Sequence, residues 1–387
     1  MSLLVCFVFL GVLPYLRFKP SDLIDFSVYY GAGLKAVSHH TVYDVTDHFQ
    51  FKYSPLIALI FGQSISRVGD FATSGAVYTC VNWMLWLWFL LDLFRQVALR
   101  VSLKTLDWTR QVHYLAIFSG FFGSAWLTEL KFGQVNIFPL FISYVFFKHY
   151  KKNTTSSIRL WLSLLLALEF QLKPYVLLIG MYLLFQGDWK MLLATAIWGG
   201  ISDFGVLTGF HGWSLALSEN VAWLKTLSQS SQVLLDSGYN AGVLGVLNVW
   251  LPQAWMASVG WVVLLLGFAR VLWSYKNRDP LMNFALLFGA IFLFNPLVWS
   301  YWIVFLVPAF VYCLVCYEQV AFAWSQKDRV WYWIELLPLC FFAHFHLAAY
   351  SIQLGLVGSA LLVLRKMVAW DGIEPPTHAF SGRCSTD

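Results

Sequence analysis

Stretches of roughly 20 apolar residues, the length a helix needs to cross a bilayer core, follow one another along this chain with short charged patches between them. From Phe71 to Phe94 the only charged residue is Asp92. A soluble domain carries about 25% charged residues. Here 12% over 387 residues cannot coat a globular surface. The strands of an outer-membrane barrel would alternate polar and apolar positions, and these runs do not. A soluble enzyme, a disordered chain, a disulfide scaffold and a barrel are therefore excluded. An all-α, polytopic transmembrane helical bundle is predicted.

Apolar length places about twelve spans, at 3–16, 73–94, 111–128, 132–147, 159–172, 174–187, 191–208, 255–274, 280–296, 299–318, 330–346 and 349–364. The segment Tyr53 to Val68 is apolar enough to suggest another crossing. Counting it as one would put the basic stretch Arg95 to Arg110 outside, against the excess of Lys and Arg that marks cytoplasmic loops. Laid on the membrane surface instead, it leaves 16 of the 25 Lys and Arg residues in cytoplasmic loops and eight outside, with Arg383 in the tail. This topology puts both termini in the cytoplasm of a cell with the protein in its inner membrane. Two long outward loops result, 17–72 and 209–254, and function is expected on that outer face because non-membrane residues collect there. Residues 1–369 read as a single membrane domain. The polar stretch 370–387 reads as a disordered tail resembling a read-through peptide, with no role assigned.

The net charge of +5 is spread among loops, so no nucleic-acid partner is expected. Cys313 and Cys316 spell C-x-x-C without a second pair or nearby His, and they read as small hydrophobes. Polar residues gather at one membrane face, where they are costly unless paired or used: Asp25 past the first span, Glu129, Lys131, Gln134 and Asn136 at a turn, Lys173 before Pro174, and Asn240 in the second long loop. Each has an ordinary structural explanation. Asp25 fits a solvated acid or a helix cap, and Lys173 fits an i,i+4 ion pair with Glu169. Gly133-Gln134 fits a tight turn with Asn136 capping the next helix. His39, His40 and His48 lack metal-ligand spacing and fit ordinary loop residues.

A resemblance joins these positions. Asp25-Phe26-Ser27-Val28-Tyr29-Tyr30-Gly31-Ala32-Gly33, then Val42-Tyr43-Asp44 and Phe51-Lys52-Tyr53-Ser54-Pro55-Leu56, resemble the opening of glycosyltransferase family 87. Gly133-Gln134-Val135-Asn136, Leu172-Lys173-Pro174, Asn240 and Asn295-Pro296-Leu297-Val298-Trp299 follow in the same order. That family comprises polyprenyl-phosphate-sugar-dependent integral-membrane enzymes, with mycobacterial mannosyltransferases of phosphatidylinositol mannoside synthesis as its best-known members. The resemblance implies a GT-C-like fold with a catalytic Asp and surface helices in the first outward loop. It also implies hexosyl transfer, mannose favoured, from a polyprenyl-phosphate donor to a glycolipid or polysaccharide hydroxyl. Three departures bear on sugar and acceptor choice. Tyr53-Ser54-Pro55 replaces Tyr-Pro-Pro, Asn240-Ala241-Gly242 replaces Asn-Gln-Ser, and Ser300-Tyr301-Trp302 follows Trp299 where a His is common.

On this reading Asp25 is the general base for the acceptor hydroxyl. Lys173, with Lys131 and Lys52 behind it, neutralises the leaving phosphate. Gln134, Asn136 and Asn240 hydrogen-bond sugar or phosphate, and Trp299, Tyr53 and Tyr29 offer aromatic faces to the sugar or prenyl chain. One base and direct displacement imply inversion. No metal or other cofactor is required, since no Asp-x-Asp pair occurs, although Glu129 or Asp44 could help bind a divalent ion. A polytopic transporter of lipid-linked or small solutes, which usually shows mid-membrane ionisable residues and repeat symmetry, and a non-catalytic partner in envelope assembly are the alternative readings.

Overall fold

The structure is a computed structural model, and it describes residues 22–43, 50–100, 122–123, 125–150, 155–173, 177–235, 243–251, 253–295 and 300–320. The expected spans 3–16, 330–346 and 349–364, most of 111–128, the tail, Asp44, His48, Asn240 and Trp299 lie outside the described residues. Among the described residues the fold is all helical and has no strand.

The first long loop holds α1 (Ile24–Val37), α2 (Pro55–Gln63) and a 3₁₀ turn over Ile65–Arg67. With nine residues, α2 is about 14 Å long at 1.5 Å per residue, too short for a bilayer core of about 30 Å. It packs on α1 instead. Gly33 and Gly62 meet where the two helices cross: a Cβ on Gly33 would lie 2.7 Å from the Gly62 nitrogen, and a Cβ on Gly62 would strike the Gly33 carbonyl. The N-terminus of α2 is held from outside its own sequence, because the Asp203 carboxylate accepts from the Leu56 N–H and from Ser54.

The long helix α3 (Phe71–Arg100) follows. The pair α4 (Ala125–Phe132) and α5 (Ile137–His149) comes next, bent by 116° at the break between them. The tight turn expected at Gly133-Gln134 lies at this break. Gly133, with φ +69°, ends α4 in the left-handed conformation that glycine adopts without penalty. The Gly133 N–H donates to the Leu130 carbonyl at 3.2 Å and the Gln134 N–H to Glu129 at 2.9 Å. Beyond it run α6 (Ser156–Leu172), α7 (Leu177–Phe185), and α8 (Trp189–Gly200) continued through a π-turn at Ile201–Gly205 into α9 (Val206–His211). The second long loop is largely helical, carrying α10 (Trp213–Leu235) and α11 (Val243–Trp250). Then come α12 (Ala254–Tyr275), α13 (Pro280–Phe294), a 3₁₀ segment Ser300–Leu306, and α14 (Val307–Val320).

Among the described residues, Phe71–Leu99, Trp189–His211 and Trp255–Tyr275 are long and apolar enough to cross a membrane, and the bent α4–α5 pair taken as one span would make a fourth. Large apolar side chains such as Trp161, Leu177, Trp255 and Leu266 stand exposed, as lipid-facing residues must. One core gathers α3, α5, α13 and α14 around Trp86, Phe89, Phe147 and Phe284. A second cluster, built on Phe26, Tyr29, Phe61, Tyr78 and Val135, ties α1 and α2 to the α4–α5 turn. The ion pairs Lys148–Asp92 and Arg159–Asp188 fasten the helix ends remote from that turn.

Gly62→Val drives a side chain into backbone that cannot move aside. It is expected to destabilise the protein by about 1–3 kcal/mol, the usual cost of overpacking, read as a lower melting temperature in detergent. Gly31→Ala, whose Cβ would meet nothing within 4 Å, is expected to leave the melt unchanged or raise it.

Candidate functional site

The α4–α5 turn lies directly against the first turn of α1. A Cβ at Gly133 would come within 2.6 Å of the Phe26 Cβ, so only glycine permits both the left-handed turn and this approach. From α3, Tyr78 Oη and Asn82 Nδ2 each donate to the Gln134 carbonyl at 2.9 Å, which fixes the turn from below. The Gln134 side chain then points at α1, where its Nε2 donates to Asp25 Oδ2. The half-buried Asp25 is thereby held by a residue 109 positions away.

A second wall comes from the segment before α2. The Ser54 N–H donates to the Gln171 carbonyl at 3.1 Å, and Gln171 Nε2 donates to Ser202 Oγ at 2.9 Å. These bonds place Tyr53 beside the C-terminal end of α6, where its hydroxyl lies 3.0 Å from that of Tyr29. Lys173, the C-cap of α6, is buried, and its Nζ sits 5.3 Å from the Tyr53 ring centre and 4.7 Å from that of Trp302. Two aromatic faces and the negative end of a helix replace a carboxylate as its immediate surroundings. Among the described residues, no ion pair is made by Lys173.

The i,i+4 pair with Glu169, the ordinary explanation that the spacing allowed, is therefore not formed. Glu169 is fully buried and accepts from Ser143 Oγ, while the charges acting most on Lys173 are those of Glu129 and Asp25. Asn136 does precede α5, but its side chain makes no cap bond. Its Nδ2 donates to Glu129 Oε1 at 2.6 Å. Being fully buried, Asn136 stands behind the site rather than at its surface. Lys52 is half-buried and faces Asp25 electrostatically. Lys131 stands exposed on α4, outside the group. Asp25, Gln134, Tyr29, Tyr53, Lys52 and Lys173 are thus brought together.

The sequence marks Trp302 only as part of the departure Ser300-Tyr301-Trp302 and not as a site residue. In a chain with 20 tryptophans, one more in an apolar run carries no local signal. Likewise, no sequence pattern marks the brace supplied by α10. Glu219 Oε2 accepts from the Val42 N–H at 3.1 Å, and Trp223 Nε1 donates to the Lys52 carbonyl at 3.1 Å.

Burial pushes the Asp25 carboxyl up to about 6, although Lys173, Lys52 and the Gln134 amide all favour its anion. Burial likewise pushes the Lys173 ammonium down to about 8 against the pull of Glu129 and Asp25, and lowers Lys52. Between these two values the site holds a carboxylate able to take a proton and an ammonium able to hold an anion. Among the described residues, no group of three or more His, Cys, Asp or Glu side chains is placed to hold a metal ion.

The sequence matches glycosyltransferase family 87 over residues 51–298, most of the chain. No curated protein and no solved structure matches it.

If the two charges are coupled as placed, Lys173→Met removes the larger of the cations acting on Asp25. The carboxyl is then expected to titrate above 6, followed by its infrared band and assigned with Asp25→Asn. Gln134→Ala should move it the same way by less. An unmoved Asp25 in the Lys173 variant would contradict the arrangement.

Proposed function

The chain belongs to glycosyltransferase family 87, and we propose that as a membrane glycosyltransferase it moves a hexose, mannose by preference, from a polyprenyl-phosphate donor to a glycolipid or polysaccharide hydroxyl. The reaction takes place at the outer face of the cytoplasmic membrane, with both chain termini inside. The observation that carries this reading is the buried Lys173 ammonium, set between Tyr53 and Trp302 and facing Asp25 without an ion pair among the described residues. A buried cation lacking a close counter-ion is costly, and a phosphate monoanion or dianion entering beside it offsets that cost.

In the transfer, the acceptor hydroxyl oxygen bonds to the anomeric carbon while the bond from that carbon to the phosphate oxygen breaks. Asp25 takes the hydroxyl proton, which is worth typically 10²–10⁴-fold. Gln134 holds the carboxylate so that one oxygen faces the acceptor. Lys173, with Lys52 as second cation, meets the charge that grows on the leaving phosphate, and the low-dielectric setting strengthens that contact. Tyr53, backed by the buried Tyr29 whose hydroxyl meets its own, supplies the wall against which the sugar or the first prenyl unit packs. A single base acting by direct displacement gives inversion. Transfer needs no resident metal on this reading, because Lys173 supplies the charge.

The test uses membranes containing the protein, radiolabelled polyprenyl-phosphate mannose and a host lipid extract. Wild type is expected to form labelled glycolipid, and Asp25→Asn to lose at least about 100-fold in rate. Lys173→Met should weaken donor use more than Lys173→Arg. The pH profile follows from the signs of the two shifts. Below about 6 Asp25 is protonated and cannot act as base, and above about 8 Lys173 is neutral and cannot hold the phosphate. The rate is therefore expected to be bell-shaped between these values. Undiminished transfer by Asp25→Asn overturns the assignment of the base.

A further inference from the structure

Away from this cluster, two histidines 172 residues apart in sequence bring their Nδ1 atoms to 2.9 Å. We propose that His39 and His211 form a two-nitrogen site for a divalent transition-metal ion of the zinc class, fastening the end of α1 to the end of α9. The rings stand perpendicular, at 90° with centres 4.9 Å apart, and His39 stacks on Phe210 at 5.3 Å and 18°. Perpendicular rings with converging nitrogens let two imidazoles share one small partner without a clash between the rings. A proton serves as that partner in the pair as it stands. An imidazole nitrogen that accepts a proton also accepts zinc, copper or nickel.

The backbone at His39 adds an independent observation. His39 occupies the left-handed position just past the C-cap of α1, with φ +57°. Its N–H donates to the Ala36 carbonyl at 3.2 Å and the His40 N–H to Lys35 at 3.0 Å, the pairing that closes a Schellman motif. Glycine is the ordinary occupant there and a side chain carries a conformational penalty, yet the chain places an imidazole at this point and aims it at His211. His39 is exposed and His211 half-buried, so an ion can arrive from solvent and keep water ligands. Zinc takes nitrogen at about 2.0–2.1 Å in tetrahedral geometry, which sets two ligand nitrogens roughly 3.4 Å apart. A small rotation of either ring opens the present spacing to that value. Because no third His, Cys, Asp or Glu joins the pair among the described residues, water completes the coordination and the ion is exchangeable.

The site's position gives it an effect. Farther along the chain from His39, Val42 is already held by Glu219 and Lys52 by Trp223. An ion at His39 and His211 adds a further fastening three residues before Val42, joining α1 to α9. The inference stands on these contacts alone and does not depend on the proposed reaction.

Full-length protein in detergent, stripped with chelator, would be titrated with zinc alone by calorimetry and melted with and without it. One saturable zinc per chain and a raised melting temperature are expected for wild type. His39→Gly should lose at least tenfold in affinity and lose the zinc-dependent rise in melting temperature, while remaining folded, because glycine suits the left-handed position. His211→Gln should behave alike, and His40→Ala should match wild type. If wild type binds zinc no better than a variant carrying both His39→Gly and His211→Gln, the contact is a plain imidazole hydrogen bond and the proposal is overturned. If either single variant keeps its affinity, or His40→Ala loses as much as His211→Gln, the assignment is likewise overturned.

Discussion

The seating of the 133–136 turn on the first turn of α1 governs the rest of the site. α4 and α5 meet at 116°, and such a break leaves backbone groups that must find partners. Gln134 solves this with both of its polar ends. Its carbonyl is taken by Tyr78 and Asn82 from α3, and its side chain by Asp25 from α1. Gly133 makes the approach possible, since any Cβ would meet Phe26. Three elements distant in sequence are therefore registered to one another by a single peptide and its side chain. The position of Asp25 relative to Lys173 follows from that registration.

The two ends of the helical bundle treat charge differently. At one end Asp92 and Asp188 are paired with Lys148 and Arg159, and each also accepts from a tyrosine, Tyr144 at 2.7 Å and Tyr150 at 3.1 Å. Those charges are satisfied within the protein, and their work is to hold helices together. At the other end Asp25 and Lys173 are coupled but not joined in an ion pair. A direct salt bridge there would quench both groups, leaving neither a proton acceptor nor an anion site. Aromatic faces hold the ammonium in place without neutralising it.

Sequence patterns disclosed much of this and missed the rest for identifiable reasons. Apolar runs with few charges announced a helical membrane protein. The charge balance around Arg95 to Arg110 set 53–68 apart from the spans, and α2 within it is a nine-residue helix packed on α1. Gly133 was legible as a turn because glycine followed by amide residues has few other uses. The Lys173–Glu169 pair, which the spacing allowed as an ordinary explanation, does not form because residues on one helix face pair only when nothing better competes. Ser143 took Glu169, and the ring faces of Tyr53 and Trp302 took Lys173. Trp302 and α10 were invisible as contributors, since their contacts depend on long-range packing that leaves no local period.

The same long-range packing gives the first long loop the fixed geometry that the proposed transfer requires. Loops usually lack the rigidity that a reacting geometry demands, within about 0.5 Å for a working site. Here Ser54 is tied to Gln171, Lys52 to Trp223, Val42 to Glu219 and Leu56 to Asp203. Each bond joins the loop to α6, α10 or the π-turn after α8. The π-turn is the place where a long helix has local freedom to present Asp203 sideways, and α2 uses that carboxylate as its cap. Rigidity at Tyr53 and Lys52 is thus borrowed from the helices around them. A substitution at Glu219, Gln171 or Asp203 consequently acts on the site through backbone position, without touching anything bound there.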